Sequence, residues 1–242
     1  MRKKMKIVSL NINNFGGFKC KKNCGYEYWK KLDKTEEATE ILGYIQFEKP
    51  DISVLHEFEL NAEIAKEFIK SMNLLGYEIV PIEQHNYKYP SITIMFVRKE
   101  LLFNKLENPH KEKSLRASVI KAGEFIVYGL HIPPVFDISF WDEMIDFYKQ
   151  HDAEKLVIIG DYNVYDIGTE QKQKFLELLS LNAKDAWLEK GNANSTRTHI
   201  KGRRLDYAVM TPSLFECLID IRIDPLLLNN GKTDHAALII EI

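Results

Sequence analysis

Several apolar runs in this chain stop abruptly at a residue able to do chemistry. IVSL leads to Asn11, DISVLH to Glu57, FIVYGL to His131, and LVIIG to Asp161 with Asn163 two residues on. RLDY (204–207) sets Asp206 at the start of another run, and Thr233-Asp234-His235 opens the last one. Apolar segments of this kind become buried strands, and strands that end in polar groups at one edge build a cleft on a rigid frame. The residue types share a task. Carboxylate and amide oxygens suit a hard cation such as Mg²⁺, which keeps several waters of its own. Hydrolysis of a phosphate ester needs charge stabilised on the non-bridging oxygens, an activated water and a protonated leaving group. Asp, Glu, Asn and His supply those functions.

Taken singly, each residue has a plainer explanation. A glutamate after a strand is usually a solvated turn residue. Gly-Asp-Tyr-Asn (160–163) is made of turn formers. An Asp-His pair in a short loop is a turn more often than a site, and His131 ahead of Pro133-Pro134 reads as an exposed loop histidine. The joint occurrence, in this order, is what carries weight.

The elements that must position them follow from periodicity. A strand over 5–12 runs into a Gly-containing polar loop. Ala38, Ile41, Leu42 and Ile45 fall at helical spacing within 35–48, and Pro50 ends that helix. A short buried strand covers 52–55. Ile64, Phe68, Met72 and Leu75 mark a second amphipathic helix. Strands are predicted near 77–82, 91–98, 115–121 and 124–131, a helix over 139–150, an apolar strand over 155–160 and a helix near 169–180. Strands over 204–210, 218–223 and 236–242 close the chain. Direct hairpins mixed with helical crossovers imply mixed sheets covered by helices, and two packed sheets accommodate the strand count.

The motifs resemble the endonuclease/exonuclease/phosphatase superfamily, whose members include exonuclease III-type repair nucleases, pancreatic-type deoxyribonucleases, sphingomyelinases and inositol polyphosphate phosphatases. The matching segments are KIVSLNIN (6–13), DISVLHE (51–57), YGLHIP (128–133), IIGDYN (158–163), RLDY (204–207) and TDH (233–235), in the family's order and across nearly the whole chain. The resemblance implies a four-layer α/β sandwich, two mixed sheets flanked by helices, formed by residues 1–242 as one catalytic domain. It implies Mg²⁺ or Mn²⁺ as cofactor. Glu57 would be the principal metal ligand, with Asn11 beside it in the metal and phosphate site and Asp234 as a second metal-side carboxylate. Asp161 would orient or deprotonate the attacking water, and Asn163 would hold that water or the phosphate. His235 would contact a non-bridging oxygen while Asp206 holds its imidazole. His131 would contact the phosphate and assist the leaving oxygen. Arg116, in LRASV, matches a family arginine.

There are departures. The usual Leu-Gln-Glu is Leu55-His56-Glu57 here, and the usual Ser-Asp-His is Thr233-Asp234-His235. His131 stands where exonuclease III-type enzymes usually carry Tyr, which is closer to the deoxyribonuclease and sphingomyelinase branches.

Bulk properties set the partner class. Net charge is −2 over 242 residues, with 45% apolar and 28% charged, the profile of an ordinary globular protein. The charge is uneven. Residues 1–31 hold nine Lys or Arg against the single acid Glu27, with Tyr26, Tyr28 and Trp29 interleaved, and Arg197, Lys201, Arg203 and Arg204 lie together. Basic side chains with aromatics suit backbone tracking and base stacking, so a nucleic-acid substrate is expected, with Arg203 and Arg204 touching it. The alternative is a small-molecule or lipid head-group phosphoester. A binding module without activity would have lost one of the eight site residues, and all are present. Three cysteines argue against a disulfide framework, and Cys20 and Cys24 are expected as free thiols. The basic start has no apolar stretch of signal-peptide length, so a cytoplasmic location is expected.

Overall fold

The central strands of this chain are buried on both faces, and that decides the architecture. Along the first strand, β1 (Lys6–Asn11), five of six residues are buried. A sheet made of such strands must be covered on both sides. The computed structural model describes residues 4–19, 31–82, 91–165 and 168–242. The expected Cys20, Cys24, Lys21, Lys22, Tyr26, Tyr28 and Trp29 lie outside the described residues.

The remaining strands are β2 (Ile52–Glu59), β3 (Tyr77–Ile79), β4 (Ser91–Arg98), β5 (Asn104–Lys105), β6 (Ala117–Ala122), β7 (Phe125–His131), β8 (Lys155–Asp161), β9 (Lys184–Asp185), β10 (Asp206–Met210), β11 (Asp220–Asp224) and β12 (Ala237–Glu241). They form two six-stranded sheets, ordered β11-β12-β1-β2-β4-β3 and β5-β6-β7-β8-β10-β9. Each sheet has a parallel pair at its centre, β1 with β2 and β7 with β8. Parallel neighbours need a crossover. These are supplied by helix α1 (Thr35–Glu48) and, after helix α2 (Glu63–Leu74) in chain order, by helix α3 (Ile138–Gln150); helix α4 (Glu170–Ser180) follows β8.

The layers are therefore helices, sheet, sheet, helices. Between the sheets, Ile7, Val54 and Met95 meet Ile120, Val127 and Ile159. The outer face of the first sheet packs Leu10 and Phe58 on Ile41 and Phe68 of α1 and α2, and that of the second packs Tyr128 and Ile158 on Trp141 and Phe175 of α3 and α4. The sheets approach closely at Gly129, where an added Cβ would stand 2.3 Å from Cγ1 of Val54.

Three local features differ from the sequence reading. The 115–121 segment opens with a 3₁₀ turn, Ser114–Arg116, before its strand begins. The two-residue edge strands β5 and β9 are too short to show a period. The 52–55 strand runs on to Glu59 through a register shift between Leu55 and Phe58.

Candidate active site

The parallel pairs bring their C-terminal ends to one edge. Asn11 is paired with His56 at the end of β1 and β2, and Asp161 is flanked by His131 of β7 and Asp206 of β10. The two sheets meet there, because Nδ2 of Asn11 donates to Oδ2 of Asp161 at 3.1 Å.

Glu57 sits in the β2 irregularity with φ +54°. A bulge turns one side chain out of the strand's alternation, and a non-glycine residue in the left-handed region costs roughly 1–2 kcal/mol. Such strain is found where a functional constraint holds it. Its outcome here is that Oε1 of Glu57 faces Nε2 of His131 at 3.7 Å. Burial, then the nearby Asp234, push its carboxyl above the ordinary range, against the pull of the Asn11 amide.

Asp161 ends β8, not a β-turn, and Gly160 is required before it. A Cβ at Gly160 would lie 1.8 Å from the carbonyl oxygen of Leu130 on the neighbouring strand. The carboxylate is fixed through Oδ1, which accepts from the main-chain N of Asn163 at 3.0 Å. Asn163 itself has φ +52° and donates Nδ2 to the carbonyl of Ile132 at 2.8 Å. Oδ2 of Asp161 faces inward, 3.6 Å from Nε2 of both His131 and His235. Burial raises the Asp161 carboxyl above its usual range, with the neighbouring Asp206 adding to it and the His235 charge opposing it.

The two histidines differ in charge. Arg116 donates from Nη1 to Nδ1 of His131 at 3.3 Å. Burial and that guanidinium hold His131 well below the usual range, so it is neutral. His235 is buried too, yet Asp206 and Asp161 more than offset the burial and raise it to about 10. Its Nδ1–H donates to Oδ2 of Asp206 at 2.8 Å. Asp206 Oδ1 is buried with no hydrogen-bond partner. Thr233 ties this loop to the first strand, donating to the Asn11 carbonyl at 2.6 Å.

All eight residues singled out by motif therefore lie at one edge, together with Arg116. Arg203 and Arg204 divide. Arg203 is exposed and lies over the ring of exposed Tyr165, 3.8 Å from its centroid. The expectation for Arg204 is corrected: it is buried, and its guanidinium pairs with both oxygens of Asp185 at 3.1 and 2.6 Å and with Asn194. A guanidinium held by a buried bidentate pair has no reach left for substrate. Sequence reading missed Asn14, whose Nδ2 faces Glu57, and His199, whose Nε2 stands 3.6 Å from Asp234. Both sit on irregular backbone with no periodic signal. His199, Asp234 and His235 offer ligand atoms within 4.8 Å of one another, a grouping with the make-up of a metal site. The oxygen donors Glu57, Asp161 and Asp234, with the Asn11 and Asn163 amides, suit a hard divalent cation, and the Glu57 and Asp161 carboxyls, raised by burial and by neighbouring carboxylates, are in the setting a cation relieves.

No family model matches the chain, and no curated protein matches it in sequence. Solved structures match it in shape. The 3′ phosphatase NExo from Neisseria, bound to a product DNA hairpin, aligns with a TM-score of 0.70 at 17% identity over 98% of both chains. An AP endonuclease from Archaeoglobus fulgidus gives 0.70 at 16% identity over 98% of both. AP endonuclease LMAP from Leishmania major gives 0.72 at 16% identity over 99% of this chain and 87% of its own. The chain thus shares the fold of these enzymes, an α/β sandwich of two six-stranded sheets flanked by helices. Among the described residues no helix is long and apolar enough to cross a membrane.

Proposed function

We propose that the protein is a divalent-metal-dependent phosphodiesterase acting on nucleic acid, a DNA or RNA endonuclease of the cytoplasm formed by one catalytic domain. One observation carries the reading: from two different sheets, Asn11 Nδ2, His131 Nε2 and His235 Nε2 converge on Oδ2 of Asp161 at 3.1, 3.6 and 3.6 Å, with Glu57 and Asp234 beside them. Three donors around one carboxylate make an anion-binding hollow with a base at its centre.

Glu57, Asp234 and the Asn11 amide would hold Mg²⁺ or Mn²⁺, which when bound neutralises charge on a phosphate oxygen. The chain's own groups supply the rest. Asp161, more basic than a surface aspartate, takes a proton from the attacking water, with Asn163 fixing its direction. His235, cationic through Asp206, donates from Nε2 to a non-bridging oxygen as charge builds there. His131, neutral with its proton on Nε2, donates to an oxygen of the phosphate and supports the leaving group. Arg116 adds positive charge behind it.

Arg203 over Tyr165, two residues beyond Asn163 in the chain, presents an exposed cation beside an aromatic ring, the pairing that single-stranded nucleic acid binders use. The DNA hairpin on the Neisseria enzyme of the same fold is in keeping with this substrate class. The test is cleavage of plasmid DNA, single-stranded DNA and RNA, with a soluble phosphodiester alongside, in Mg²⁺, Mn²⁺ or EDTA. Metal-dependent nicking of nucleic acid is expected. Cleavage of the soluble diester alone would move the reading to small-molecule substrates, and full activity in EDTA would overturn the metal dependence.

A further inference from the structure

His199 takes no part in the reaction as described, yet it is only 8% exposed and packs on the site. Its ring meets that of His235 edge-on, with centroids 4.8 Å apart and planes at 62°. The tight hairpin that carries it grips the Asp234 loop on both sides. Ile200 N donates to the Asp234 carbonyl at 2.9 Å and Ala236 N to the Thr198 carbonyl at 2.7 Å, while Thr198 N and His199 N both donate to the Arg203 carbonyl.

The question is what the imidazole does with Asp234, whose Oδ2 lies 3.6 Å from its Nε2. Direct ligation of a cation by His199 would require a lone pair on Nε2. The main chain decides otherwise. Lys201 N–H donates to Nδ1 of His199 at 3.2 Å. A backbone N–H can only donate, so Nδ1 presents its lone pair and the ring proton sits on Nε2, facing the Asp234 carboxylate. Asp234 needs such a partner. Its side chain is 29% exposed on a loop, where a lone carboxylate would swing to water.

We infer that His199 is a positioning residue for Asp234, its Nε2–H standing 3.6 Å from Oδ2 and biasing that carboxylate toward the inner wall of the site so that a divalent cation meets it already aimed. The inference rests on the proposed reading of Asp234 as a metal-side carboxylate. Groups that orient metal ligands through hydrogen bonds typically change metal affinity 10–100-fold when lost.

The experiment measures Mn²⁺ binding to the whole protein without substrate, by the loss of the free-ion paramagnetic resonance signal, for wild type, His199→Leu, His199→Asn, His199→Gln and Asp234→Asn. Glutamine puts an N–H about where Nε2–H was; asparagine is polar but too short; leucine keeps bulk alone. Mn²⁺ affinity should fall about 10-fold in His199→Leu and His199→Asn and stay within about 3-fold of wild type in His199→Gln. Circular dichroism checks that each is folded, and the asparagine variant decides if leucine misfolds. Wild-type affinity in His199→Asn would overturn the inference, as would a glutamine variant as weak as asparagine, which is the pattern of a direct ligand. Unchanged affinity in Asp234→Asn would instead remove the underlying reading of Asp234, which separates the two failures.

Discussion

The Arg116 guanidinium and the His131 imidazole meet at 3.3 Å through Nη1 and Nδ1. Because the arginine can only donate, the proton of the neutral ring is directed onto Nε2, which stands 3.6 Å from Asp161 and 3.7 Å from Glu57. Replacing Arg116 with Met removes that control as well as a positive charge. Turnover at saturating Mg²⁺ should fall roughly 10²-fold, the scale of one lost electrostatic donor. A kcat within about 3-fold of wild type would show that the arginine serves packing only.

Glu57 holds a left-handed backbone that asparagine adopts more readily. Glu57→Asn should abolish turnover while making the metal-free protein more stable by roughly 0.5–1 kcal/mol, since it relieves backbone strain and shortens a half-buried carboxylate to a neutral amide. Urea unfolding in EDTA reads the second effect. A loss of stability would mean that the strain is paid back by contacts of Glu57 itself.

Asp206 should act only through His235, to which it is bonded at 2.8 Å. His235→Ala and Asp206→Ala should each cost about 10²-fold or more in turnover, and the double variant no more than the worse single one. Losses that multiply would show two independent contributions.

Gly160→Ala tests the β8 end as a built feature. With the Leu130 carbonyl 1.8 Å from the new methyl, the β7–β8 pairing must open. A loss of about 1–3 kcal/mol by overpacking is expected, with activity falling further because Asp161 is the next residue. An unchanged melting temperature would contradict the close approach.

Much of this was legible in the sequence, for a physical reason. Strand ends carry their polar residue wherever the chain goes, so IVSL to Asn11 and LVIIG to Asp161 could be read without knowing their neighbours, and the periods of α1 to α4 and the long strands came through in order. What was illegible depends on long-range geometry. Arg204 looks like one more base in a basic run, and only folding shows Asp185 beneath it. The 3₁₀ turn that aims Arg116 and the hairpin that places His199 have no repeat to detect. The bulge at Glu57 is a register event between Leu55 paired with Ile94 and Phe58 paired with Ile92, visible only once β2 meets β4.

His56 and His110 set the acid limit. Burial lowers both to about 3, with His235 adding to it at His56 and Lys113 at His110, while the Glu143 carboxylate 2.9 Å from Nδ1 of His110 pulls that ring the other way. His56 lies between Ser9 and Thr93, and His110 between Glu143 and Tyr128. Their unfolded forms titrate near 6.5, so the unfolded chain binds protons that the folded one refuses. The stability they allow is complete above pH 6.5 and declines as pH falls toward 3, by up to about 1.4 kcal/mol per unit for each. In urea melts between pH 7 and 4.5, His56→Gln should have the shallower slope. Parallel slopes would mean that His56 is charged in the fold.

The hydrogen bond of Thr233 to Asn11, 222 residues apart, and the pairing of β12 with β1 join segments made far apart in the order of synthesis. A ribosome that has released β1, β2 and β8 has already made the base and the Glu57 carboxylate, yet the chain still lacks Asp234, His235 and the strand that β1 needs as its neighbour. The proposed site is therefore incomplete until residue 235 has been made, and a chain truncated ahead of residue 233 lacks Asp234, His235 and the strand that pairs with β1.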